Sequence, residues 1–110
     1  MEIQTLEENG ILIVDIKGKL DTSTAPQAER EIERYISPGR KMVLDLEQTS
    51  FVSSAGLRVF LATAKKVMAE GGILRICGAN EVVNEILEIS GFTTILDVRK
   101  DRTEALQGLG

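Results

Sequence analysis

The sequence has no histidine, no tryptophan, a single cysteine and only two prolines. Each scarcity removes a class of function. Without an imidazole the chain cannot build a Ser-His-Asp or Cys-His nucleophilic site or a histidine-held metal. Cys77 alone forms no internal disulfide, and a lone thiol suits a reducing, cytoplasmic setting. No apolar run approaches the roughly 18 residues of a membrane span, and the opening Met1-Glu2-Ile3-Gln4 lacks the basic start of a signal peptide. The net charge of -4 argues against a broad electrostatic grip on nucleic acid or an anionic membrane. What is present is an ordinary globular mixture, 43% hydrophobic and 27% charged, in 110 residues. That length suits one core, hence one domain spanning residues 1–110.

Asn9-Gly10 lies between two apolar segments, and this pair tolerates positive φ at a hairpin turn. Ile3–Glu8 and Ile11–Lys17 therefore read as antiparallel partners, with Gly18 breaking the second strand. Leu20-Asp21-Thr22-Ser23-Thr24 is a polar loop rich in helix-capping residues, and Pro26 fits a first helical turn. From Ala25 to Ile36, Ala28, Ile32, Tyr35 and Ile36 recur at steps of three and four, an amphipathic helix stopped by Ser37-Pro38-Gly39. Met42–Leu46 reads as a buried strand, followed by a loop through Phe51-Val52 into Ser53-Ser54-Ala55-Gly56. A second helix over Leu57–Glu70 gathers Leu57, Phe60, Leu61, Ala64, Val67 and Met68 on one face and ends at Gly71-Gly72. Then come a strand over Ile73–Gly78, a helix over Glu81–Ile89 closed by Gly91, a strand over Thr94–Val98, and a helical turn over Thr103–Gln107. The predicted order, β-β-α-β-α-β-α-β-α, implies an α/β fold with a mixed sheet and helices packed against it.

Several chemistries fail on their own requirements. The hydrolase elbow needs Gly-x-Ser-x-Gly, and Val52-Ser53-Ser54-Ala55-Gly56 lacks the first glycine as well as a histidine base. Gly71, Gly72, Gly78 and Gly91 make no phosphate-cradling loop. Asp15, Asp21 and Asp45 are dispersed, so no metal cluster and no cofactor are expected, and Cys77 sits in a strand pattern where it packs rather than reacts. The informative stretch is Asp45 to Leu57, where a buried strand delivers the chain to a small-residue turn that opens an amphipathic helix. Small residues let another protein's backbone come close. The free N–H groups and positive end of the helix favour added negative charge. A phosphate on a serine there adds about -1.5 to -2 of charge. The plainer alternative is that Ser53 or Ser54 only caps the helix and Gly56 only relieves crowding.

With these motifs in place, the chain resembles the anti-sigma factor antagonists, stand-alone STAS-domain proteins of bacterial partner-switching circuits. Gly18-Lys19-Leu20-Asp21 resembles the family's Gly-x-Leu-Asp loop, with Ala25 in the small position soon after. Val43-Leu44-Asp45-Leu46 followed by Val52-Ser53-Ser54-Ala55-Gly56-Leu57 resembles its strand and phosphorylation turn. Ile89-Ser90-Gly91-Phe92 resembles its late Ser-Gly-hydrophobic element. The family turn commonly reads Asp-Ser-[Ser/Thr/Ala]-Gly-Leu. On this sequence the acceptor position falls on Ser54, and Ser53 stands in the aspartate position.

The resemblance implies a binding protein, not an enzyme. Unphosphorylated, it would dock with an anti-sigma factor that is also a serine kinase; phosphorylation of Ser54 would release it, and a PP2C-type serine phosphatase would reset the switch. ATP and Mg²⁺ would belong to the kinase. The implied contact surface comprises Asp21, Thr22, Ser23, Thr24, Ser53, Ser54, Gly56, Leu57 and Arg58, and a monomer suits a switch whose surface must be free. Two other readings keep the fold: a passive interaction module regulating a non-sigma target without phospho-switching, and a small-ligand or anion-binding domain using the same helix terminus.

Overall fold

The computed structural model describes residues 1–109. β1 (Glu2–Glu8) and β2 (Ile11–Leu20) form the expected antiparallel hairpin, with Asn9 at φ 53° and Gly10 at φ 79° supplying its turn. β3 (Lys41–Asp45), β5 (Ile73–Cys77) and β6 (Val98–Arg99) add in parallel, giving the order β1-β2-β3-β5-β6. Side-chain alternation then separates two faces. Leu12, Val14 and Ile16 of β2, Met42 and Leu44 of β3, and Leu74 and Ile76 of β5 join one core. That core is closed by α1 (Ala25–Glu33), α2 (Ser54–Ala69) and α3 (Glu81–Ile89), with Phe60, Val67, Val83 and Leu87 fully buried. On the opposite face Ile11, Ile13, Val43 and Cys77 pack against Ala105 and Leu109 from α5 (Arg102–Leu106) and the turn after it. Coverage on both faces explains why Ile11-Leu12-Ile13-Val14 is an unbroken buried run.

Five elements depart from the sequence expectation. Gly18 bends β2 without ending it: at φ 93° it sits where the register shifts, and the strand resumes to Leu20. The resumed segment pairs in parallel with β4 (Thr49–Val52), a strand where a loop is expected from sequence. α1 stops at Glu33; Tyr35 and Ile36 follow in turns that donate to Ile32 O and Glu33 O. Helix α2 starts at Ser54, three residues earlier than its apolar stripe suggested. Thr94–Val98 is not a strand. After Gly91 at φ 76° the chain makes the short helix α4 (Phe92–Ile95), because Phe92 and Leu96 both turn toward the core. Only Val98 and Arg99 reach the sheet. The mixed sheet with packed helices stands, in the order β-β-α-β-β-α-β-α-α-β-α.

Candidate functional site

The loop after β2 and the start of α2 meet at one point. Ser53 N–H donates to Leu20 O at 2.9 Å, so the cap of α2 is tied to the last residue before Asp21. Asp21 organises its own loop: its Oδ1 accepts from Ser23 Oγ at 2.8 Å, Ser23 N at 3.0 Å and Thr24 N at 3.2 Å. The Thr24 hydroxyl accepts from Asp21 N and donates to Lys19 O, both at 2.9 Å. The Ser23 hydroxyl bond, helped by the Thr24 and Ser23 amides, holds the Asp21 carboxyl below the usual carboxylate range. The loop is thus a preformed anionic knuckle with Thr22 and Ser23 exposed.

The two serines divide their roles. Ser53 is the N-cap of α2, extended at φ -90° and ψ 179°, half-buried, and its Oγ accepts from Gly56 N at 3.4 Å. Ser54 is the first helical residue; it is exposed, and its hydroxyl has no hydrogen-bond partner among the described residues. Of the two, Ser54 alone offers a free hydroxyl. Among the described residues no side chain is hydrogen-bonded to it as a general base, so its modification calls for an enzyme that brings one.

Gly56 and Leu57, placed on the contact surface from sequence, lie inside. A Cβ on Gly56 would sit 2.7 Å from Leu20 O and 2.8 Å from Val52 Cγ1, and Leu57 is a core residue. They seat the turn, and their side-chain positions face the interior. Asp21, Thr22, Ser23, Thr24, Ser53, Ser54 and Arg58 remain at least partly accessible. Between α1 and α2 runs a shallow groove of about 290 Å³, lined by Thr22, Ala25, Pro26, Glu29, Ala55, Arg58 and Val59. Phe51 of β4, 40% exposed and paired in register with Lys19, flanks the same end of β2. A four-residue strand carries too little alternation for Phe51 to stand out in the sequence.

Elsewhere the polar groups serve the fold. Arg102 bridges Asp45 (Nε to Oδ2, 2.9 Å) and Asp15 (Nη2 to Oδ1, 2.7 Å), anchoring α5 under the sheet. Asp45 is 2% exposed, and its other oxygen accepts from Glu47 N. Burial and the neighbouring Asp45 carboxylate push the Cys77 thiol up to about 12, so it stays protonated and unreactive. No cluster of three or more metal-ligating side chains occurs among the described residues, and no helix there is long and apolar enough to cross a membrane.

Comparison with known proteins then places the chain. A family model of the STAS domain matches residues 2–105. The chain belongs to the STAS domain family. It is 39% identical over 98 residues to BtrV of Bordetella bronchiseptica, whose name marks it as a candidate anti-sigma factor antagonist; the match covers 88% of this chain and 84% of BtrV. The anti-sigma F factor antagonist of Paenibacillus polymyxa is 29% identical over 111 residues, covering 99% and 95% of the two chains. Among solved structures, an anti-sigma factor antagonist from Mycobacterium paratuberculosis superposes with a TM-score of 0.85 at 23% identity, covering 96% of this STAS domain and 90% of that chain. These likenesses fix the fold and the family.

Proposed function

We propose that this STAS protein is an anti-sigma factor antagonist controlled by phosphorylation of Ser54. Unphosphorylated, it binds an anti-sigma factor that is a serine kinase and so frees the sigma factor. The kinase passes the γ-phosphoryl group of ATP to Ser54 Oγ; the hydroxyl proton is released, ADP leaves and the complex weakens. A PP2C-type phosphatase hydrolyses the ester and restores the binding form. The protein is ligand and substrate in this cycle, not catalyst.

One observation carries the reading: Ser54 is an exposed, unbonded hydroxyl at the first position of α2, joined through Ser53 and Leu20 to the Asp21–Thr24 loop. Its relatives' names supply the partner class. Ser53 in place of the family's usual aspartate is consistent with it, because position 53 is the N-cap and serine and aspartate are comparable caps. Phosphate at a close-packed interface adds bulk and charge that must be desolvated, beside a carboxylate, Asp21, that is already ionised.

The test uses a serine kinase of the anti-sigma factor class that binds this protein. With ATP, phosphopeptide mapping should find one phosphate, on Ser54, and none on Ser54→Ala. Ser54→Asp should weaken kinase binding about a hundredfold, equivalent to about 3 kcal/mol. Ser54→Ala should bind and not be released by ATP. A phosphate on another residue, or equal affinity of the phosphorylated and unphosphorylated forms in calorimetric titration, overturns the reading. The passive module predicts the second of these outcomes.

A further inference from the structure

Ser54 and Arg58 lie four residues apart on α2, so their side chains stand one above the other on the same face. Helical side chains lean toward the N-terminus, which directs Arg58 back over the turn that carries Ser54. Both residues are exposed. Among the described residues Arg58 has no hydrogen bond and no carboxylate within ion-pair distance. Lys66 on the same helix, by contrast, lies 3.1 Å from Glu33 and 3.7 Å from Glu29. Glu29 is also the only other charged residue lining the groove beside Arg58. Arg58 is therefore a cation one helical turn from the free hydroxyl, and among the described residues no carboxylate pairs with it.

We propose that Arg58 is the internal clamp for phosphoserine 54. Resting on Ser54 as the acceptor, the proposal names how the modified state is held. The guanidinium fork pairs with two phosphate oxygens. One covalent event then changes the surface twice: it adds a dianion at position 54 and withdraws Arg58 from anything docked on the α1–α2 groove. The clamp also favours the dianionic over the monoanionic ester.

The test needs no kinase. Phosphoserine is installed at position 54 during translation through a reassigned stop codon, and its second ionisation is followed by phosphorus NMR. In the absence of perturbation that ionisation falls near pH 6. Removing the clamp with Arg58→Gln should raise it by about 0.3 unit or more. Arg58→Lys should recover part of the difference, and Lys65→Gln should leave the profile unmoved. The other charged groups around the turn, Glu29 of α1, Asp21 of the loop and Lys19 at the end of β2, are unchanged in every variant. Amide spectra establish that each variant is folded. Superimposable profiles for wild type and Arg58→Gln overturn the proposal, as does an equal shift from Lys65→Gln. Because the ester is installed synthetically, these outcomes are separate from whether the natural kinase chooses Ser54.

Discussion

Gly56 shows how a single residue can set the position of a site without touching a partner. Alanine is the better helix former by about 1 kcal/mol, so propensity alone favours replacing this glycine. Packing reverses that preference, because the new methyl would lie 2.7 Å from Leu20 O and 2.8 Å from Val52 Cγ1. Neither the backbone carbonyl nor the buried valine can yield without moving the end of β2. Gly56→Ala should therefore destabilise the fold by about 1–3 kcal/mol, read as a lower urea midpoint. It should also lift the Ser53–Leu20 hydrogen bond and the Asp21 loop it supports. A midpoint equal to or above that of the wild type would show that the first turn of α2 has slack.

At the scale of elements, α5 is a short helix held to the sheet largely by polar contacts. It has five residues and buries Ala105, with Leu109 following in the turn beyond it. Its hold on the sheet comes from Arg102 spanning Asp15 and Asp45, and from Arg75 donating to the carbonyls of Ala105 and Gln107. Arg102→Ala leaves the Asp45 carboxylate buried with the Glu47 amide as its remaining partner. A loss of about 2 kcal/mol is expected from urea unfolding. The same variant should raise the rate at which Cys77 reacts with a thiol reagent, since Ala105 and Leu109 are what cover it. Unchanged thiol reactivity would mean that α5 is held by its apolar contacts alone.

Elements also mark how far the sequence could be read. Asn9-Gly10, the apolar runs of β3 and β5 and the long stripe of α2 carry their own pattern; the turn and both strands form where expected, and α2 forms with its start three residues earlier. β4 does not: Thr49 and Val52 point inward and Ser50 and Phe51 outward, too few residues for a period to show, and it exists as a strand through its pairing with the bent end of β2. Thr94–Val98, expected as a strand, contains the end of α4 instead. That short helix forms because Phe92 and Leu96, four residues apart, must both reach the core. Within the site, the loop and the two serines were legible as capping residues. The inward placement of Gly56 and Leu57 was not, since it depends on Leu20 and Val52.

For the whole molecule, the proposed switch works at the surface of a body that stays folded. Ser54 contributes no hydrogen bond and little burial, and the start of a helix tolerates negative charge. Ser54→Asp should keep its unfolding free energy within about 0.5 kcal/mol of the wild type while losing partner affinity. A large drop in stability would instead make unfolding the mode of release.

The amino-acid order was sufficient to specify an α/β chain with a small-residue turn opening its longest helix, because periodicity and turn chemistry are local and survive without knowledge of neighbours. Which serine caps and which stands free, that Gly56 faces inward, and that residues 49–52 become a strand followed only from the assembled fold. Those outcomes depend on Leu20, Val52 and the bent end of β2, which are brought together by packing across tens of residues of sequence.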